Sequence, residues 1–183
     1  MFLLALAVSS ILAAAPAPVG QAKLAVSKSV PAKTVTTPAK LPPFDARSPH
    51  YVITLLKSLD AKVTMTGNSD GQVFIEAKST EGNFGAQFID CNTDVKACHA
   101  VAFFAVYEKT SVNLVQINDF NRAQFACRGF LTAEGQPSVM YSTLLNFRMT
   151  RDEFKQHLSV WHGCMKGFET FNRDPVAFLS SPH

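Results

Sequence analysis

The sequence has few of the features that identify an enzyme. No HExxH, GxxxxGK[ST] or GxGxxG motif occurs, so the usual signatures of zinc peptidases, P-loop nucleotide hydrolases and dinucleotide-binding domains are missing. Acidic residues occur singly, except for Asp152 and Glu153 at a predicted helix start, where negative charge complements the helix dipole. We therefore predict a protein that is not an enzyme, with no catalytic residues and no cofactor.

Charge is scarce, and no lysine or arginine precedes the apolar segment at the N-terminus. Residues 2–15, FLLALAVSSILAAA, are uncharged but fewer than the ~20 residues that a membrane-spanning helix requires. Small residues follow at the spacing that signal peptidase recognises. The segment predicts a signal peptide over residues 1–22, with a retained N-terminal anchor as the alternative. After cleavage we expect no stable membrane insertion.

Residues 23–43 contain no acidic and no aromatic residue and are rich in proline, alanine, threonine and lysine. Such a segment cannot bury enough apolar surface to offset the entropy of ordering, so we predict a disordered linker. It holds four of the 17 basic residues, and the other 13 nearly balance the 14 acidic ones. Nucleic-acid binding requires a basic face on the folded domain, and we do not predict it.

Changes in periodicity predict one α+β domain over residues 44–174 and a C-terminal tail over residues 175–183. Between residues 63 and 108, apolar and polar residues alternate in segments separated by the turn sequences GNSDG and STEGN, which predicts four antiparallel strands. Two more strands are predicted at 125–132 and 138–145. The central strands are apolar on both sides, so we expect helices or a partner to cover both faces of the sheet.

Three helices complete the predicted order αββββαββα. A proline directly after Ser48 is typical of a first helical turn. A short second helix begins near Ser111 or Asn113. The third begins at Thr150, which can form a capping box with Glu153, and its apolar residues recur at intervals of three and four.

Cys91 and Cys98 lie at the end of one predicted strand and the start of the next, so their Cα atoms can approach the ~5.5 Å separation of a disulfide. In an exported protein such a pair oxidises. The spacing is not Cys-x-x-Cys and no helix start follows to stabilise a thiolate, which makes reactive thiols the weaker interpretation. A second bridge between Cys127 and Cys164 would join a strand to the last helix, and buried free thiols are its alternative.

Cysteines and histidines together can also bind zinc. His99, His157 and His162 lie near cysteines in the sequence, but their spacing matches no zinc-site pattern. His157 and His162 are separated by roughly 140° around a helix and do not share a face. We therefore predict no metal site.

Three segments carry a resemblance to a known family. They are INDFNRAQFACRGFL at residues 117–131, FIDC and ACHAVAFFAVY within 88–107, and FKQHLSVWHGCMKGFETF at 154–171. These segments resemble the YbjN-domain family, which is associated with bacterial sensory transduction. The motif residues in this chain are Ile117, Asn118, Phe120, Asn121 and Arg122. The resemblance, over residues 51–171, implies a fold similar to type III secretion chaperones, frequent dimers, a cytoplasmic location for many relatives, and no catalytic residues.

Two functions fit these observations. The first is a periplasmic or secreted bacterial protein-interaction module of the YbjN type, which binds a protein partner or forms a homodimer through an apolar sheet face. The second is a periplasmic redox- or metal-responsive protein that uses Cys91, Cys98, Cys127 and Cys164. The leader and the cysteine pair favour export over the cytoplasmic location of many relatives.

Overall fold

The structure is a computed structural model that describes residues 43–181. The predicted signal peptide, residues 1–22, and all of the predicted linker except Pro43 lie outside the described residues. Within the described range, the helices are too short or too polar to cross a bilayer.

Six antiparallel strands form one sheet. Their bounds are β1 Lys62–Ser69, β2 Gln72–Ser79, β3 Gly82–Cys91, β4 Cys98–Val106, β5 Arg128–Leu131 and β6 Pro137–Leu144. The spatial order is β1-β2-β3-β4-β6-β5, so the first four strands form a meander and β5 lies at an edge, beyond β6. Asp70 and Gly71 have positive φ angles in the β1–β2 turn, as a two-residue hairpin turn requires. The predicted α+β class with an antiparallel sheet is confirmed.

Four helices accompany the sheet: α1 Pro49–Ser58, α2 Leu114–Ala123, α3 Arg151–Arg173 and α4 Pro175–Ser180. The capping box predicted for α3 is present, because Thr150 Oγ1 accepts a hydrogen bond from the Glu153 N–H and the Glu153 carboxylate accepts one from the Thr150 N–H. Of the two starts considered for α2, Asn113 is the N-cap, and it forms a capping box with Gln116.

The helices pack against one side of the sheet, here called the inner face. At its centre, the ring of Phe103 lies 6.0 Å from Trp161 and 6.3 Å from Phe154, both on α3. All three side chains are fully buried. The strand residues of the inner face are Val73, Ile75, Ala77, Phe84, Ala86, Phe88, Val101, Phe103, Ala105, Val139 and Tyr141. Most of the hydrophobic stabilisation of the domain comes from this layer.

Residues 175–183, which we expected to be a tail, contain the additional helix α4. The Asp174 carboxylate accepts a hydrogen bond from the Ala177 N–H and caps it. The Phe178 ring lies 5.8 Å from both Phe120 and Phe171. Partial burial of Phe178 and Leu179 against the core holds a helix that is too short to be stable alone.

The fifth strand is shorter than we predicted. It begins at Arg128 rather than at residue 125, and Phe125 is fully exposed. The reason is Cys127, which is bonded to Cys164 on α3 and draws the preceding chain away from the sheet. We expected helices or a partner to cover both faces of the sheet, and within residues 43–181 the helices cover only the inner face.

Candidate functional site

The four cysteines lie in two separate bonded pairs. Cys91 and Cys98 are opposite each other in the register of β3 and β4, and their Sγ atoms lie 2.08 Å apart. Cys127 and Cys164 connect the chain before β5 to α3, with 2.10 Å between their Sγ atoms. Residues 43–181 contain no free cysteine and no group of three or more histidine, cysteine, aspartate or glutamate side chains that could hold a metal ion.

The Cys91–Cys98 pair lies where three segments of the chain meet. The Cys91 N–H donates a hydrogen bond of 2.7 Å to the carbonyl of Gly71 in the β1–β2 turn. The Cys98 N–H donates one of 2.8 Å to the carbonyl of Arg47, just before α1. The pair therefore joins a hairpin that also anchors a turn and the start of a helix, which is a structural role.

The family motif on α2 includes a side chain that closes one edge of the sheet. Asn121 Nδ2 donates a hydrogen bond of 3.0 Å to the Gly129 carbonyl, and Asn121 Oδ1 accepts one of 2.7 Å from the Gly129 N–H. These two backbone groups of β5 point away from β6, where an edge strand normally presents unpaired groups. Asn121 thus takes the place of a neighbouring strand at this position.

The other motif residues hold α2 close to β5 or face solvent. A Cβ atom at Gly129 would lie 2.9 Å from the Phe168 ring and 3.2 Å from the Phe120 ring, so only glycine permits this approach. Ile117 and Phe120 are buried there, whereas Asn118 is exposed. Arg122 is exposed and forms an ion pair with Asp119. The motif serves mainly to attach α2 to the sheet.

The side of the sheet opposite the helices, here called the outer face, carries no helix within the described range. Its apolar residues come from β2 to β6 and are Phe74, Ile89, Ala100, Ala102, Phe104, Val106, Phe130, Met140 and Leu144. Half of the Val106 surface and 78% of the Leu144 surface are exposed. An uncovered apolar surface of this kind is typical of an interaction site.

Two glycines make the outer face flat. A Cβ atom at Gly85 would lie 2.3 Å from Cζ of Phe104, so the Phe104 ring lies directly over the backbone of β3. Gly67 has the same relation to Phe74, at 3.4 Å. A phenyl ring that covers a cross-strand glycine protects the backbone and fills the gap left by the missing side chain. The result is a smooth aromatic surface.

One row of paired residues crosses the outer face with a glutamate on one side of its centre and an arginine on the other. In register it runs from Glu76 through Gly85, Phe104 and Met140 to Arg128. The Arg128 guanidinium donates hydrogen bonds to the neutral carbonyls of residues 124 and 127 and forms no ion pair within residues 43–181. Glu76 and Arg128 thus carry opposite charges two strands to either side of Phe104, and Lys62 and Lys78 lie beside Glu76 on the same face.

A polar cavity of about 460 Å³ lies between β6 and α3. The Tyr141 hydroxyl oxygen lies 2.6 Å from His157 Nδ1, and the two rings stack with an interplanar angle of 28°. Burial raises the pKa of Tyr141, and a hydrogen bond with Thr143 opposes that shift. Our sequence interpretation gave His157 no such partner, because a separation of 16 residues across two elements leaves no local signal.

Two other titratable groups have shifted pKa values. Burial, reinforced by the charge of Glu169, raises the pKa of Tyr107 to about 12, and its hydroxyl donates to the Met165 carbonyl. Burial lowers the pKa of His162, against a smaller opposing effect from Glu81. Both lie where α3 meets the strands and have packing roles.

A GxSxG spacing, which our sequence interpretation passed over, occurs in the turn sequence GNSDG, Gly67–Gly71. In hydrolases this motif is a sharp turn from a strand into a helix. Here Ser69 ends β1 and pairs with Gln72 of β2, and its side chain is exposed. The segment is therefore a hairpin turn without the geometry of a nucleophile elbow.

Comparison with known families matches residues 48–170 to YbjN, described as "Putative bacterial sensory transduction regulator". The chain belongs to the YbjN family. The predicted resemblance is thus confirmed. The YbjN match begins at the N-cap of α1 and ends within α3, so it includes all six strands and the α2 motif and leaves α4 outside. A comparison with curated proteins found no match.

Proposed function

We propose that this YbjN domain is an exported, non-enzymatic regulatory module that acts by binding protein through its outer face. The observation that carries the proposal is the outer face itself, which has nine apolar residues from β2 to β6 and no helix over it in residues 43–181. Burial of such a surface is favourable by about 25 cal/mol per Å² of apolar area. The membership of the YbjN family supports a role in sensory transduction.

A second copy of the chain is the partner that the charges of the outer face favour. Consider a two-fold axis that runs parallel to the strands and passes over Phe104. It places Glu76 of one copy opposite Arg128 of the other, twice, with the Phe104 rings at the centre. Complementary charges around an apolar centre fix the orientation of an interface. The family resemblance, which implies frequent dimers, agrees with this arrangement.

Sedimentation of the domain with reciprocal charge reversals tests this dimer. Glu76→Arg and Arg128→Glu should each raise the dissociation constant by about tenfold or more, and the double variant should restore it. Urea unfolding of each variant shows whether the fold is retained. A domain that sediments as a monomer, or a double variant that stays as weak as the single variants, would contradict the proposal.

Export is supported by the two cysteine pairs, since disulfides persist in oxidising compartments. Mass spectrometry of protein isolated from the native bacterium tests it. We expect an N-terminus shortened by the predicted signal peptide, and a mass that rises on reduction by one pair of hydrogens for each bridge. A full-length chain recovered from the cytosol with free thiols would refute export.

A redox-responsive role is the second candidate, and one observation favours it. Cys91 is half-buried, whereas Cys98, Cys127 and Cys164 are buried, so a reductant reaches the Cys91–Cys98 pair first. Thiol titration during stepwise reduction, combined with sedimentation, distinguishes the roles. A sensor changes its assembly when this pair opens, and a structural bridge does not.

A further inference from the structure

Half of one sheet edge is open, next to the polar cavity. β5 pairs only with residues 137–140 of β6, so residues 141–144 pair with β4 on one side and with no strand of residues 43–181 on the other. The bond between Cys127 and Cys164 holds the chain before β5 against α3, away from this part of β6. The edge is therefore divided into a half covered by β5 and a free half.

The backbone directions in the free half follow from two hydrogen bonds at the ends of β6. The Tyr107 N–H donates to the Pro137 carbonyl at 2.9 Å, and the Leu145 N–H donates to the His99 carbonyl at 2.8 Å. The backbone N–H and C=O groups of the odd-numbered residues of β6 therefore point toward β4. Along a strand, the direction of these backbone groups alternates from one residue to the next. The N–H and C=O groups of Ser142 and Leu144 thus point away from β4. Within residues 43–181, Thr143 Oγ1 makes one weak contact of 3.4 Å with the Leu144 carbonyl.

The cavity beside this edge is lined by one acidic and one basic side chain, Glu153 and Arg148. The Glu153 carboxylate is anionic and accepts hydrogen bonds of 2.7 and 2.9 Å from the N–H and hydroxyl of Thr150, so the positive end of the α3 dipole offsets its charge in part. Arg148 lies over the Phe147 ring at 5.3 Å and has no carboxylate partner in the described part of the chain. The stacked Tyr141 and His157 supply further hydrogen-bonding groups.

We propose that this free edge binds an extended acidic peptide as an added strand. The peptide backbone pairs with Ser142 and Leu144, and every second side chain points toward the cavity, as strand geometry requires. A glutamate or aspartate there meets Arg148 and the Tyr141–His157 pair. The peptide uses backbone groups of the β6 edge, whereas the proposed dimer uses side chains of the outer face, and the two sites adjoin at Leu144.

Synthetic peptides test the site directly. Four fluorescent heptapeptides of alternating threonine and valine are titrated against the disulfide-bonded domain. Three of them carry glutamate, glutamine or lysine at the centre. The fourth is the glutamate peptide with N-methyl groups on alternate amides. We expect the glutamate peptide to bind at least about tenfold more tightly than the glutamine peptide and the lysine peptide to bind most weakly. N-methylation on the pairing edge should remove binding, because it blocks strand addition.

Matched variants assign the contacts. Ser142→Pro removes one outward N–H and should abolish binding, whereas Ser142→Ala keeps it and should bind as wild type. Arg148→Gln should make the glutamate and glutamine peptides bind equally. If Ser142→Pro fails to fold, the N-methylated peptide still decides the question on the wild-type protein. No binding of the glutamate peptide at about 1 mM, equal binding of its N-methylated form, or full competition by free glutamate would overturn the proposal.

Discussion

The two faces of the sheet are built from alternate residues of the same strands, yet they have opposite surroundings. Phe103 and Phe104 are neighbours on β4. Phe103 is fully buried among α3 side chains, and Phe104 lies over Gly85 on the outer face. Both positions look equally apolar in the sequence. The comparison shows that the hydrophobicity of a strand residue does not reveal what covers it, and that an uncovered aromatic residue is available for binding.

The sharpest way to test this comparison is to truncate the two phenylalanines separately. Phe103→Ala should lower the free energy of unfolding by about 3–5 kcal/mol, because it leaves a cavity against Trp161 and Phe154. Phe104→Ala should lower it by only about 1 kcal/mol, since its ring is already partly exposed. Urea denaturation at a concentration where the protein is monomeric measures both. Equal losses would mean that the outer face is covered in solution.

The cysteine pairs provide the next test, because one joins the chain before β5 to α3 and the other closes a hairpin. The chain separations are 37 residues for Cys127–Cys164 and 7 for Cys91–Cys98. In the chain-entropy model, replacing each pair by alanines should cost about 4 and about 2.5 kcal/mol respectively. Chemical denaturation of the two double variants measures which pair costs more free energy of unfolding when it is replaced. If the loss is larger for Cys91–Cys98, that bond stabilises the fold by more than the entropy of the loop that it closes.

A smaller effect is expected at the closed part of the sheet edge. Asn121→Ala leaves the outward N–H and C=O of Gly129 without a partner and should cost about 1–3 kcal/mol. Asn118→Ala is the matched control on the exposed side of the same helix and should stay within about 0.5 kcal/mol of wild type. Amide exchange of Gly129, followed by NMR, should accelerate only in the first variant. Unchanged exchange would show that the side chain does not protect the edge.

The smallest expected effect is a pH dependence of stability that comes from His162, at the edge of the inner face. The pKa of His162 is lower in the folded protein than in the unfolded chain because burial disfavours the charged ring. The unfolded chain therefore takes up the proton first, so this contribution to stability is complete above pH ~6.5 and is lost as the pH falls below that value. Between about pH 7.5 and pH 5, the melting temperature of wild type should fall slightly more than that of His162→Gln. Parallel curves would exclude this role.

The elements with strong local signals were predicted well from the sequence. The capping box at Thr150 and Glu153 and the apolar spacing after it identified α3 correctly. The alternation from residue 63 onward identified the meander, because turn residues mark each reversal. The helix α4 was not predicted, since its stability depends on the contact of Phe178 with Phe120, a residue more than fifty positions away.

The candidate sites were predicted less well. The predicted motif residues lie on α2, but the sequence did not indicate that the amide of Asn121 replaces a neighbouring strand at Gly129. The pairing of Tyr141 with His157 and the free half of the β6 edge had no signal in the sequence. Each of them depends on contacts between elements, and sequence patterns report only on neighbours within one element.

The amino-acid order alone established the family, the succession of helices and strands as far as α3, and the positions of the cysteines, because these follow from spacing and composition within short segments. Within residues 43–181, the packing of α3 across the sheet determined the rest: which face carries no helix, where β5 begins after the Cys127–Cys164 bond, and which backbone groups of β6 have no strand partner. These features depend on residues far apart in the chain, whose contacts form only when the helices are placed on the sheet.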